Sequence, residues 1–141
     1  MPTDGPYTIQ ALQTSHIEQL YSLHQEVLAL VPHPHVIRRD TREFLLGNIY
    51  ETGRTFGAFC GPTLVGYASV AFPGGSERNL AYDLPHLAIE PETVAIYDGS
   101  AVHPDHRGKG LQIVLNDYRG KFASAAGYYH FMGTVSPYEP I

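Results

Sequence analysis

The chain has 141 residues, a length that fits one domain with one sizeable hydrophobic core. Its composition, 43% hydrophobic and 16% charged, is that of a globular protein and excludes the disordered and fibrous classes. With 9 basic and 14 acidic residues the formal charge is −5, which argues against sequence-independent binding of DNA or RNA, since such binding relies on excess Lys and Arg.

Neither a secretory leader nor a membrane segment is predicted. The first residues lack the charged-then-apolar order of a signal peptide, and no apolar run approaches the length of a membrane span. The single cysteine, Cys60, excludes an intramolecular disulfide and a site built from several thiolates. We therefore expect a cytoplasmic protein that does not bind membranes.

The first half of the chain is predicted to form one strand and two helices. Alternating residues predict a strand from Tyr7 to Leu12. Ser15 to Glu18 has the form of a capping box, so the first helix is predicted to begin there and to reach Pro32. Asp40 to Glu43 repeats the capping signal and predicts a second helix that ends near Gly53.

The second half is predicted to form three strands, a helix and a last strand. Gly61-Pro62 is a turn signal between two runs that read as antiparallel strands. Residues 73–91 are predicted to be a long loop, with a short strand possible at "HLAIE". A fourth main strand is predicted from Thr93 to Val102 and a third helix from Leu111 to Gly127. The run "YYHFMGTVS" is predicted to be a fifth strand, parallel to the fourth through a right-handed crossover.

A glycine-rich turn joins the fourth strand to the third helix, in the stretch "AVHPDHRGKGLQ". Its glycines expose backbone amides where a helix begins, and such amides bind phosphate groups. Arg107 and Lys109 add positive charge. The Walker pattern does not fit, because no Ser or Thr follows Lys109, and the dinucleotide fingerprint does not fit, because Ile113 replaces its third glycine. A pyrophosphate-binding turn of another kind is therefore predicted.

The same segment, "AVHPDHRGKGLQIVL", resembles the acyl-CoA-binding motif of the GNAT N-acetyltransferase superfamily. That motif has Val-x-Pro, then Gln or Arg, two residues, Gly, one residue, and Gly or Ala. Arg107 to Leu111 match it, whereas Gln112 stands where the family prefers Gly or Ala. The predicted order of elements is also similar to a GNAT domain from its first to its fifth strand, so the resemblance covers essentially residues 1–141 as a single domain.

The resemblance implies an α/β (α+β) fold with a mixed, mostly antiparallel sheet flanked by helices. The family normally continues with a fourth helix and two more strands, whereas this sequence stops at "SPYEPI". Either the chain is a truncated product or another subunit supplies these elements. Because an unpaired fifth strand leaves an edge that invites pairing, a homodimer is one expected assembly.

The activity implied by the resemblance is transfer of an acetyl group from acetyl-CoA to a primary amine. The acceptor would be a small molecule or a peptide, attacking directly in a ternary complex. The alternative is a non-catalytic or partner-dependent acyl-CoA-binding fragment, and a nucleotide-binding protein ranks third. No metal is expected, because the two histidine pairs in this sequence lie in loops without fixed geometry or predicted cysteine partners.

Catalytic roles are carried over from the resemblance for two residues. Asp98 is the candidate general base, and Tyr138 is the candidate proton donor to the departing thiolate, although a solvent-exposed tyrosine near a frayed terminus fits Tyr138 as well. On a strand without a bulge, Asp98, Ser100 and Val102 would share one face. The other interpretation of Asp98, as a partner of Gly99 in a turn or bulge, stays open.

Binding residues are predicted in two groups. The segment between the first two helices commonly lines the acceptor pocket in this family, which singles out His33, His35 and Arg38, although a solvated basic connection fits these residues as well. The residues predicted to bind acetyl-CoA are Ala101, Val102, His103, Arg107, Gly108, Lys109, Gly110, Leu111 and Gln112.

Overall fold

The computed structural model describes residues 3–4, 6–30 and 39–133. Its elements are β1 (Thr3–Asp4), β2 (Tyr7–Ala11), α1 (Ile17–Leu30), α2 (Arg42–Tyr50), β3 (Gly53–Cys60), β4 (Thr63–Ala71), β5 (Val94–Val102), α3 (Leu111–Ala125) and β6 (His130–Met132). The strands form one sheet in the order β1-β2-β3-β4-β5-β6. All neighbours are antiparallel except β5 and β6, which are parallel. The predicted fold class, a mixed and mostly antiparallel sheet with helices, is confirmed.

The two faces of the sheet are covered by different helices. On one face, a core of buried residues joins α1 and α2 to the sheet, among them Leu20, Leu45 and Tyr67. On the other face, Leu111 and Leu115 of α3 pack against a second cluster. The sheet is therefore buried on both sides. A separate property of the described helices is that none is long and apolar enough to cross a membrane.

The start of the first helix differs from the prediction. Ser15 lies inside a 3-10 turn, Thr14–His16, and α1 follows from Ile17. The turn is preceded by Gln13, whose amide donates to His16 Nδ1 at 2.9 Å. The prediction of Ser15 as the cap is therefore wrong. The helical segment begins after Gln13, two residues before Ser15, because the His16 ring satisfies the amide of Gln13.

The start of α2 follows its sequence signal more closely. Thr41 has extended backbone angles (φ −77°, ψ 161°) and its side chain accepts a hydrogen bond from the Phe44 amide at 3.1 Å. One of the amides that the helix start leaves without an intrahelical partner is thereby satisfied.

Replacing Thr41 by Ala is expected to lower the free energy of unfolding by about 1 kcal/mol, the usual contribution of such a cap. Urea denaturation measures the change, and Thr41→Ser, which keeps the hydroxyl, is the control. Equal unfolding midpoints for Thr41→Ala and the wild type would show that the cap contributes nothing.

Residues 73–91 form the predicted long connection, but the short strand at residues 86–90 is wrong. That stretch instead begins inside a 3-10 turn, Pro85–Leu87, and continues through Ala88 at φ +52°. A left-handed residue between two prolines, Pro85 and Pro91, prevents the extended run that a strand needs.

Candidate functional site

The turn that precedes α3 has a backbone conformation that favours glycine. Gly108 and Gly110 lie at φ +75° and +78°, and a Cβ placed on either would meet no atom within 4 Å. Gly110 is the residue directly before α3. The left-handed backbone explains why glycines occupy both positions, and the open space around them leaves room for a ligand close to the main chain.

Backbone amides are presented at this turn. Within the described part of the chain, no backbone carbonyl accepts a hydrogen bond from the amides of residues 108–113. The positive end of the α3 dipole lies at the same place. Arg107 and Lys109 are exposed beside it, and Arg107 Nε donates to the Val102 carbonyl at 3.3 Å. The arrangement is suited to binding a phosphate group.

An open groove of about 360 Å³ lies at this turn. Its lining residues are Ser100, Ala101, Val102, His106, Arg107, Gly108, Gly110, Leu111, Gln112 and Ile113. Seven of the nine residues predicted to bind acetyl-CoA are among them. The two others are Lys109, which is exposed on the turn, and His103, which borders a separate cavity against α1.

The two histidines of the turn are held by hydrogen bonds. His103 Nδ1 accepts from the Asp105 amide at 3.1 Å, so Nε2 carries the proton that is shared with Glu26 on α1. His106 Nδ1 lies 2.9 Å from the hydroxyl of Tyr7 on β2, and burial raises the pKa of that hydroxyl. These contacts tie the turn to α1 on one side and to β2 on the other.

A β-bulge precedes the groove on β5. Ala68 of β4 pairs with Ser100, but Val70 pairs with Tyr97, so Asp98 and Gly99 together oppose the single residue between them on β4. Because the strand is bulged, Asp98, Ser100 and Val102 do not share one face, and the alternative interpretation of Asp98 as a partner of Gly99 in a bulge is confirmed. The additional residue reverses the alternation, so that Asp98 faces the α1–α2 side while Ser100 and Val102 face α3.

The carboxylate of Asp98 is buried, with 5% of the side chain exposed. It accepts from Arg78 Nη2 at 2.5 Å and from Asn48 Nδ2 of α2 at 3.1 Å, both at Oδ2. The guanidinium compensates the buried charge. The bulge is thereby anchored to α2 and to the long connection between β4 and β5.

The register also determines where the amides after the bulge point. His103 donates from its amide to the Val65 carbonyl at 2.8 Å, and hydrogen-bonded pairs alternate along an antiparallel ladder. Since Ala101 opposes Tyr67, this alternation directs the amides of Ser100 and Val102 away from β4. On the other edge of β5, the described pairing with β6 extends only from Val94 to Ile96. The amides of Ser100 and Val102 therefore face the groove rather than a described strand.

A buried polar cluster lies behind the bulge, on the side of α1 and α2. His24 is 1% exposed, and its Nε2 accepts from the Asp40 amide at 2.9 Å while Nδ1 lies 2.9 Å from the Tyr67 hydroxyl. A Cβ on Gly99 would lie 3.3 Å from Asp40 Oδ2 and 3.9 Å from the Tyr67 hydroxyl. Groups able to carry protons therefore border the bulge.

Several residues around the site were not singled out by the sequence. They are Tyr7, His24, Asn48, Tyr67, Arg78 and Arg119. All except Arg119, which lies on α3, come from elements distant in sequence from the glycine turn, and each of the six occurs in an ordinary helical, strand or loop pattern. No local signal would have found them, because their proximity arises only from sheet pairing and helix packing.

Four predicted site residues, His33, His35, Arg38 and Tyr138, lie outside the described residues. Among the described residues, no group of three or more His, Cys, Asp or Glu side chains is arranged to hold a metal ion. The sites that the structure describes are therefore the glycine turn, its groove and the bulge.

The strand–glycine turn–helix unit, whose strand β5 carries the bulge, lies in a mixed sheet. Comparison of the sequence with family models identifies the class of protein. The model of the acetyltransferase (GNAT) family matches residues 17–112, more than half of the chain. The chain belongs to the GNAT family. A comparison with curated protein sequences finds no match.

Solved structures with the same fold are N-acetyltransferases. The ribosomal-protein-alanine N-acetyltransferase from Brucella melitensis biovar Abortus 2308 is 16% identical, covering 94% of this chain and 82% of its own, at a TM-score of 0.63. The aminoglycoside N-acetyltransferase AAC(6')-Iy in complex with CoA is 16% identical. The match covers 93% of this chain and 78% of that chain, at a TM-score of 0.65. The aminoglycoside acetyltransferase meta-AAC0020 from an uncultured soil metagenomic sample, in complex with sisomicin, is 15% identical. The match covers 95% of this chain and 80% of that chain, at a TM-score of 0.66.

Proposed function

We propose that this protein is an N-acetyltransferase that moves an acetyl group from acetyl-CoA to a primary amine of a small molecule or peptide. The attack is direct, in a ternary complex of enzyme and both substrates. The observation that carries the proposal is the exposed glycine turn at the start of α3, whose amides border an open groove in a chain of the GNAT family.

The residues of the turn fit the pyrophosphate of acetyl-CoA. The space where a Cβ would stand at Gly108 and Gly110 is open, so a phosphate can approach the main chain closely. Arg107 and Lys109 supply positive charge to this otherwise acidic protein. Gln112, which departs from the family pattern, donates from Nε2 to Asn116 Oδ1 at 3.2 Å, so its amide group is turned along the helix.

The open edge of β5 is the proposed position of the pantetheine arm and the thioester. Acetyl-CoA supplies an activated acyl group: the amine nitrogen adds to the thioester carbonyl carbon, and negative charge develops on the thioester oxygen, where a fixed donor stabilises it. The C–S bond then breaks as the C=O bond re-forms, and the thiolate of CoA leaves. The amide of Val102 is the proposed donor, because the ladder directs it toward the groove.

Two proton transfers complete the reaction. An alkylamine has a pKa of about 10.4 in water, so it must lose a proton before it can attack. Asp98 is the proposed acceptor of that proton, since it lies on the bulge directly before the groove segment. Tyr138 is the proposed donor to the leaving thiolate.

The acceptor is proposed to bind on the face of the sheet that carries α1 and α2. Asp98 and the His24–Tyr67 pair face this side, and the connection between the two helices, with His33, His35 and Arg38, is the proposed contact region. The neighbouring structures name an alanine amine of a ribosomal protein and aminoglycosides as substrates, so both kinds of amine are the first to test. A homodimer is the proposed assembly.

The test combines binding and turnover. Calorimetry measures acetyl-CoA binding, and free thiol release is followed with aminoglycosides, peptides that begin with alanine, and small diamines. Acetyl-CoA binding with thiol release on any of these amines supports the proposal. Binding without release on the whole panel favours the non-catalytic acyl-CoA-binding alternative, and preferential binding of ATP or NAD contradicts both. Native mass measurement tests the dimer.

A further inference from the structure

Arg119 is a buried arginine of α3. It contacts the bulge from the face of the sheet opposite the one on which the Asp98 carboxylate lies. It lies about two turns into α3 and is 5% exposed. Its Nη1 donates to the Ser69 carbonyl of β4 at 2.8 Å and to the Asp98 carbonyl of β5 at 3.2 Å. These are carbonyls of the two strands at the point where the extra residue interrupts their ladder.

The charge of Arg119 is retained in unfavourable surroundings. Burial lowers the pKa of Arg119 to about 10, although electrostatic interactions with Tyr97 and Asp98 act in the opposite direction. The group is still protonated at neutral pH, with its guanidinium 4.1 Å from the centre of the Tyr97 ring. Within the described residues, Nε has no hydrogen-bond partner. An apolar residue would fill this position without that cost, so packing alone does not explain an arginine here.

The bulge determines which groups of β5 reach the groove. Ser100, Ala101 and Val102 line the groove, and they follow the bulge directly. If the extra residue moved along the strand or the register slipped by one, these residues would exchange faces and their amides would exchange directions. A donor that holds both carbonyls of the interrupted ladder prevents such a slip.

We propose that Arg119 is a positioning residue for the acetyl transfer. By bonding to the carbonyls of Ser69 and Asp98, it fixes the bulge and so directs the amide of Val102 at the thioester oxygen. Because the glycine turn leads directly into α3, the same helix sets the position of the pyrophosphate and the direction of this amide. This inference rests on the proposed function.

The test compares three variants. Arg119→Met removes the donors but keeps much of the volume, and Arg119→Lys keeps one charged donor group. Arg54→Met is the matched control. Arg54 on β3 also lies over an aromatic ring of α3, with its guanidinium carbon 5.0 Å from the centre of the Phe122 ring, and its Nε also has no hydrogen-bond partner among the described residues. Unlike Arg119, Arg54 makes none of its described side-chain contacts with the bulge.

Arg119→Met is expected to lower kcat by about 10²-fold, the loss that a misplacement of about 1 Å can cause, with the Kd for CoA changed by less than about threefold. Arg119→Lys is expected to recover part of the rate, and Arg54→Met to retain it. Amide hydrogen exchange at residues 99–102 is expected to become faster in Arg119→Met than in Arg54→Met, because the bulge is no longer held.

Two results overturn the inference: equal kcat for Arg119→Met and Arg54→Met, or unchanged exchange at residues 99–102. If Arg119→Met does not fold, Arg119→Lys takes its place, and a wild-type rate and exchange pattern in that variant overturn the inference. If the wild-type protein acetylates no amine, the proposed function fails and the exchange measurement alone decides whether Arg119 holds the bulge.

Discussion

Gly110→Glu is expected to abolish measurable binding of acetyl-CoA while the protein stays folded. The carboxylate would stand at the start of α3, where the proposed phosphate contacts the backbone. Two like unit charges 4 Å apart repel by about 4 kcal/mol at an effective dielectric of 20, which corresponds to about a thousandfold in affinity. Calorimetric titration with acetyl-CoA measures the loss.

The folded state should tolerate this substitution. A non-glycine residue at φ +78° costs about 1–2 kcal/mol, but no atom lies within 4 Å of the new Cβ, and a carboxylate at a helix N-terminus regains about 0.3–1 kcal/mol. Gly127→Glu is the matched control, since Gly127 lies just beyond the other end of α3 at φ +99° with equally open surroundings. Unchanged affinity in Gly110→Glu, with native circular dichroism in both variants, would refute the assignment of the turn.

Asp98→Asn is expected to lower kcat by about 10²–10⁴-fold, the usual contribution of a general base, and to leave the Kd for CoA nearly unchanged. The amide has the shape of the carboxylate, so its oxygen can still accept from Asn48 Nδ2. It cannot take a proton from the amine at neutral pH. Steady-state rates of thiol release and calorimetry on the same preparations separate the two effects.

The controls distinguish a base from an anchor of the bulge. Asp117→Asn removes a carboxylate of α3 that pairs with Lys121 at 3.0 Å on the surface, and it should retain the full rate. Asp98→Asn combined with Arg78→Met removes the ion pair as a whole. Recovery of the rate in this double variant would mean that the single variant fails through an unpaired Arg78, and that Asp98 is not the base.

The bulge shows why the candidate site could be predicted only in part. The pair Asp98-Gly99 signals a turn or a bulge, but its consequence depends on Ser69 of the opposite strand and on Arg119 of a helix that comes later in the chain. The direction of the groove amides depends on this register. A side-chain period of two along a strand cannot show where one additional residue is accommodated.

The sequence by itself determined the order of the main elements and the position of the glycine turn before α3. Both depend on local chemistry: alternation for the strands, helical spacing for α1 to α3, and glycines where the backbone is left-handed at Gly108 and Gly110. Only the three-dimensional structure decided how the bulge is anchored, which side chains meet Asp98, and that the first helical turn begins at Thr14 after Gln13 rather than at Ser15. These features arise from contacts between residues far apart in the chain or from competition between neighbouring caps, and no pattern of short period records them.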